Sequence, residues 1–395
     1  MAEPRLRIAV DAMGGDHAPR EIVDGAVRAA QELGVEVLLV GPTTQIRREL
    51  EAHRAGSLPV RVVEASEVID MAEAPAMALR RKRHASILVA VETLRCGEAD
   101  AVVSAGNTGA AMAASLLRLG RIEGIDRPAI AAVLPTLRGR AIMVDVGANV
   151  DCRPKHLLQF AVMGSVYANR VLGIADPRVG LMSNGAEDTK GNEVVIRTAE
   201  LLRTSGVRFA GNVEGRDFFD GAVDVAVCDG FVGNLLLKFG EGLALGIFTL
   251  LREELTRGVL VRLGVALATP RLRALARRMD YTEYGGAPLL GVNGICIIAH
   301  GSSKAKAIRN SIAVAVESVR ARMVEAIRAD IARLSSLHHL APLDDLSAGG
   351  LPSAGEDPLA GVTRPGGAAG GPHQEGSEAE GPASLPLSRG SPADA

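Results

Sequence analysis

Six short segments bring together the residue types that could grip an oxyanion: glycines, amides, carboxylates, hydroxyls, one lysine and one histidine. They are Asp11-Ala12-Met13-Gly14-Gly15-Asp16, Ser104-Ala105-Gly106-Asn107-Thr108-Gly109, Asp145-Val146-Gly147-Ala148-Asn149, the loop Ser183–Glu193 around Lys190, Asp229-Gly230-Phe231-Val232-Gly233-Asn234, and Ala299-His300-Gly301-Ser302-Ser303-Lys304. Paired glycines let backbone approach a ligand, and free N–H groups at a helix start favour an anion. Lys190 could add a point charge beside Glu187 or Asp188. The pattern is neither G-x-x-x-x-G-K-[ST] nor G-x-G-x-x-G, so it supports neither a nucleotide triphosphatase nor a dinucleotide fingerprint. A plainer reading stands beside each: Asp16 as the cap of a tight turn, Ser104–Gly109 as an ordinary capped turn, Asp145 and Asp229 each as a cap or a turn former, Lys190 on the surface, His300 as a satisfied, half-buried histidine.

What must position these segments is an alternation of β-branched runs with longer helical patterns, the signature of βαβ units around a mostly parallel sheet. Strands are expected near 6–11, 36–40, 60–64, 100–104, 130–134, 141–146, 179–183, 207–211, 223–228 and 295–299. All six segments then fall at carboxyl ends of strands or at helix starts, where open α/β sheets bind ligands. Apolar residues from Ile308 to Ile331 at three- and four-residue steps predict one long amphipathic helix over 302–334. A single catalytic domain over 1–340 is expected. From about 341 to 395, Gly, Pro, Ala and Ser predominate, a composition that predicts a disordered tail.

With 395 residues and 47% hydrophobic content the chain can bury a large core. Lys+Arg 44 against Asp+Glu 46 leaves a net charge of -2, which gives no global field to hold nucleic acid. Four scattered cysteines suggest reduced residues rather than zinc or disulfides. No signal peptide is apparent, and no apolar run reaches the roughly 18 to 20 residues of a spanning helix. A cytoplasmic protein is the expectation.

Ile8–Asp16, Gly106–Gly109, Lys190-Gly191-Asn192-Glu193, Asp229–Asn234, Tyr284-Gly285-Gly286 and His300-Gly301 occur in this order, and together they resemble the PlsX family of bacterial phosphate acyltransferases from about Ile8 to Val324. Met182–Ala186 departs from the family's Asn-Ile-Gly type of sequence. The resemblance implies a three-layer αβα Rossmann-like fold of the isocitrate dehydrogenase and phosphate acetyltransferase group, and a homodimer. It further implies conversion of acyl-[acyl-carrier-protein] and inorganic phosphate to acyl phosphate and free carrier, the product feeding a membrane acyltransferase of phospholipid synthesis.

Such chemistry needs no metal, cofactor or acyl-enzyme, because phosphate is already a nucleophilic anion and a thiolate leaves readily. It needs two anions held together by preorganised N–H donors and a cation. On this reading Lys190, His300 and Asn234 are catalytic. Asp11, Gly14, Gly15, Asp16, Asn107, Thr108, Gly109, Asn149 and Asp229 hold substrate. Seven arginines over 251–279, flanking apolar turns and a helix break at Pro270, suit anionic lipid, an acidic carrier, or a dimer interface. Rival readings are a phosphate acetyltransferase using acetyl-coenzyme A, a hydroxyacid decarboxylating dehydrogenase on the same fold, and a noncatalytic scaffold.

Overall fold

The β-branched runs form strands because their alternating side chains pack two apolar layers at once. In the computed structural model, which describes residues 5–258, 261, 265, 267–272, 274 and 281–338, the strands are β1 (Arg7–Asp11), β2 (Glu36–Gly41), β3 (Val60–Glu64), β4 (Ala101–Ser104), β5 (Ala129–Thr136), β6 (Gly139–Val144), β7 (Val179–Met182), β8 (Phe209–Val213), β9 (Val225–Val227), β10 (Ala287–Leu290) and β11 (Cys296–Ile298). The helices are α1 (Arg20–Leu33), α2 (Thr43–Ala52), α3 (Pro75–Arg81), α4 (Ser86–Arg95), α5 (Thr108–Leu119), α6 (Pro154–Arg170), α7 (Glu193–Arg203), α8 (Gly215–Phe219), α9 (Gly230–Leu255), α10 (Ala305–Arg320) and α11 (Met323–His338).

One sheet runs in the order β3-β2-β1-β4-β11-β10-β5-β6-β9-β7-β8. Its flanks are parallel, and β10 and β5 join them through antiparallel pairings. As a parallel sheet covered on both faces requires, β1 and β2 are nearly continuous buried runs. Ile8, Val10, Val37 and Leu39 face one layer with α1, α6, α10 and α11, whereas Ala9, Leu38 and Val40 face the other with α3, α4 and α5. Burying each large aliphatic side chain here contributes about 1.5–3 kcal/mol. The fold is the expected three-layer αβα sandwich.

Four expectations change. β10 is additional; its Ala-Pro-Leu-Leu sequence carries no alternation and little β-branching. The single helix over 302–334 is two, because Arg322 turns into the left-handed region at φ 51, yet Ile327 and Ile331 of α11 still return to the core. Residues 267–272 are helical, so no break falls at Pro270; most of the remainder of 259–280 lies outside the described residues, as does the expected tail over 341–395. Finally, α9 is 26 residues long and apolar enough to cross a membrane by length and composition, and no residue of its most apolar window is fully buried. Read linearly, Lys238 and Glu241 interrupt that run and hide it.

Candidate active site

Three neighbouring parallel strands, β1, β4 and β11, deliver three of the glycine-rich segments to one edge. The contacts are too close for side chains. A Cβ on Gly14 would lie 2.6 Å from the amide nitrogen of Gly106, and Gly15, at φ +107, would place one 2.9 Å from the Gly301 carbonyl oxygen. The Asp16 amide donates to that same carbonyl at 2.8 Å. Asp11 lies beneath this junction, buried, its carboxylate accepting from the Ser104 hydroxyl at 2.8 Å and the Met13 amide at 3.3 Å. Burial pushes the Asp11 carboxyl above the usual range, and the hydroxyls of Ser86 and Ser104 act against that rise. Asp11 therefore builds the floor rather than facing the cleft.

Asn107 caps α5, accepting from the Ala110 amide at 3.0 Å, and its Nδ2 donates to the carbonyls of Met71 and Glu73 at 3.0 and 3.1 Å. This ties a strap, residues 70–74, across the start of α5. Thr108 and Gly109 follow, their N–H groups preceding the first intrahelical bond from Ala111 to Asn107. Pro75 sits against Gly109, and Met71 reaches Gly301.

On the opposite wall, β6 ends in Asp145, fully buried. Its carboxylate accepts from the amides of Ile130, Gly147, Ala148 and Asn149 and from Asn149 Nδ2, at 2.7–3.2 Å. The second bond of Asn149 Nδ2 goes to the Pro128 carbonyl at 2.7 Å. Asp229 caps α9 through the Val232 amide at 2.8 Å. Asn149 and Asp229 thus hold the scaffold, and α9 in turn presents Asn234, Lys238 and Glu241 at helical spacing.

Between the walls lies a cleft of about 430 Å³ lined by Asp16, Thr108, Asn234, Lys238, Glu241 and His300 among its polar residues. Ile130, Ala132, Leu134, Val146, Leu237 and Ile298 form its apolar side. His300 Nδ1 receives the Ser302 amide at 3.2 Å and lies 2.8 Å from the Ser302 hydroxyl. An amide N–H cannot accept, so the proton of the neutral ring sits on Nε2, which becomes a donor. Burial pushes Glu241 above its ordinary value, opposed by His300 and Lys238. Among the described residues no group of three or more His, Cys, Asp or Glu is placed to hold a metal.

Sequence reasoning therefore brings Asp16, Thr108, Asn234 and His300 to one cleft. Gly14, Gly15 and Gly109 do not line it but allow the close packing against Gly106, Gly301 and Pro75 beside it, and Asp11, Asn107, Asn149 and Asp229 brace it. Lys190 does not line it. That exposed side chain lies in the loop after β7, two strands beyond β6, or about 10 Å along the edge. Its loop is tied down by Asn212 Nδ2, which donates to the carbonyls of Glu187 and Lys190. Lys238 and Glu241 were missed, and Tyr284, named above only within a family segment, lines the cleft as well. The signal for the first two is the i, i+4, i+7 spacing from Asn234, which puts three polar residues on one face of an otherwise apolar helix.

An αβα sandwich with its cleft at the strand ends and a helix start facing it is the architecture of an α/β protein that binds its ligand at the carboxyl edge of the sheet. Solved structures agree on the fold. A phosphotransacetylase from Streptococcus pyogenes matches with a TM-score of 0.56 at 17% identity, covering 81% of this chain and 94% of that one. The EutD phosphotransacetylase from Staphylococcus aureus gives 0.52 at 14%, covering 80% and 94%. A family model described as "Fatty acid synthesis protein" matches residues 6–326. Proteins named phosphate acyltransferase are 58% identical in Pelotomaculum thermopropionicum, over 82% of this chain and 95% of the relative, and 56% identical in Heliobacterium modesticaldum, over 82% and 98%. The chain belongs to this family, the phosphate acyltransferases of fatty acid and phospholipid synthesis.

Proposed function

We propose that the chain transfers a long-chain acyl group from an acyl-carrier-protein thioester to inorganic phosphate in the cleft between α5 and α9. Family membership makes it an acyltransferase. The observation that carries the detail is the make-up of the cleft, whose lining combines hydrogen-bond donors and a cation with apolar side chains from β5, β11 and α9. The N–H groups at the start of α5 favour phosphate. A phosphate oxygen attacks the thioester carbon, and the carbonyl oxygen becomes an oxyanion facing His300 Nε2–H and Asn234. The C–S bond then breaks, giving acyl phosphate and a thiolate, whose conjugate acid near pKa 8.5 makes it a competent leaving group. Lys238 supplies positive charge within the cleft, and Lys190 adds it from the neighbouring loop. The apolar wall favours a long chain over acetyl-coenzyme A, and faster turnover of acetyl-coenzyme A than of long-chain acyl-carrier would reverse that choice.

The outer face of α9 supports a homodimer. Phe231, Leu235, Phe239 and Leu243 recur every four residues and are 61%, 59%, 66% and 52% exposed, a stripe that a second copy would cover. The arginines of 251–279 favour peripheral contact with an anionic bilayer at the inner face of the cytoplasmic membrane, where the acyl phosphate would be used. Sedimentation separates the two ideas. The expected mass in buffer is twice 41.1 kDa. Changing Leu260 and Leu263 to Glu is expected to abolish cosedimentation with anionic vesicles. A monomer overturns the first, and unchanged cosedimentation the second.

A further inference from the structure

Away from the cleft, a furrow opens between α3, α4 and α5, lined by Leu79, Arg80, Arg83, Leu88, Leu117 and Arg118. It contains part of an unbroken basic run, Arg80-Arg81-Lys82-Arg83, that the mechanism leaves unused. Lys82 is occupied, donating to the Val68 carbonyl at 2.6 Å and paired with Glu73. Arg118 lies 3.7 Å from Glu92, which Arg95 also holds. Among the described residues, Arg80, Arg81 and Arg83 have no carboxylate partner within 4.0 Å. Met77 and Leu117 stand exposed beside them, at 55% and 68%.

We propose that this furrow is the docking face for the acidic carrier protein that brings the acyl thioester. The inference rests on the acyl-transfer reading above and names where that donor binds. Charge is the first argument. The chain as a whole carries -2, so an acidic protein is steered by local basic patches rather than by a global field, and the furrow offers a concentrated one of guanidinium groups without carboxylate partners. Shape is the second. The cations rim a concave furrow floored by the buried Leu79 and Leu88, and exposed apolar side chains among arginines suit an acidic helix with an apolar face.

Connection to the cleft is the third argument. α5 runs from Thr108, on the cleft, to Leu117 and Arg118, on the furrow, a rise of about 14 Å. α3 begins at Pro75 against Gly109, directly after the strap that carries Met71 to Gly301. A carrier seated in the furrow could pass a flexible thioester arm along this path to His300.

The test is steady-state kinetics of the full chain carrying both Arg80→Glu and Arg83→Glu, with long-chain acyl-carrier as donor. Both side chains are exposed and far from the reacting atoms. KM for acyl-carrier is expected to rise about tenfold or more with kcat at saturation unchanged, and the salt dependence of KM to flatten. Arg80→Lys with Arg83→Lys should restore most of the affinity. A KM within about twofold of wild type overturns the proposal. So does an unchanged KM accompanied by lost binding to phosphatidylglycerol vesicles, which would assign the furrow to lipid. A wild-type protein that does not turn over acyl-carrier at all would instead overturn the acyl-transfer reading.

Discussion

Replacing His300 with Ala is expected to lower kcat by about 10²–10³-fold while changing KM for acyl-carrier little, as removal of one preorganised oxyanion donor does. The reason is the tautomer set by Ser302, whose amide occupies Nδ1 and leaves Nε2–H as the donor of a residue that lines the cleft. The effect belongs to the transition state, because the thioester oxygen gains full negative charge only there. Lys190→Ala, by contrast, should act through charge, reducing kcat/KM for phosphate with a dependence on ionic strength. Steady-state kinetics with acyl-carrier and phosphate each varied in turn separates the two. An His300→Ala enzyme with near-normal kcat removes this residue from the chemistry.

Asp145→Ala is expected to destabilise the fold by about 3–5 kcal/mol, among the largest effects any single surface-neutral change would have here. The carboxylate is fully buried and accepts five N–H bonds, so its removal leaves the buried amides of Ile130 and Asn149 without that acceptor and frees the turn through Gly147 and Ala148. The consequence reaches function through packing. Gly233 of α9 rests on the Asp145 carbonyl so closely that a Cβ there would lie 1.9 Å from it, and one turn of α9 carries Asn234 and Lys238. Denaturant unfolding should show a lower midpoint with an unchanged slope. A loss under about 1 kcal/mol would mean that water replaces the carboxylate and that the loop tolerates its absence.

The elements that sequence made legible are those with strong local periodicity. Ile8–Asp11 and Val37–Val40 alternate between two apolar layers, so strands and their ends could be placed, and with them the loops that meet at Asp16, Thr108 and His300. What stayed hidden depended on tertiary context. Val319 and Met323 continue a helical rhythm across Arg322, and nothing in that spacing reveals a left-handed residue between two helices. Ala287–Leu290 becomes a strand only because β5 and β11 flank it.

The site shows the same division. Glycine pairs announced close backbone approach, and Gly14 against Gly106 supplies it. Residue type alone could not say which amides face substrate and which face protein. Asn107, Asn149 and Asp229 turn their side chains to carbonyls, a carboxylate and helix amides, whereas Asn234 lines the cleft. Lys190 looked like the cation of the site because it sits among acids at a helix start. Lys238, placed within an apolar helix, is the one that reaches the cleft wall.

The measurement that bears most directly on acyl transfer to phosphate is release of the carrier thiol from purified acyl-carrier by the full-length protein, followed with phosphate present and absent. The account predicts rapid release that requires phosphate, one equivalent of acyl phosphate per thiol freed, and no dependence on nicotinamide cofactor. Thiol release at the same rate without phosphate, or no release with it, would contradict the account.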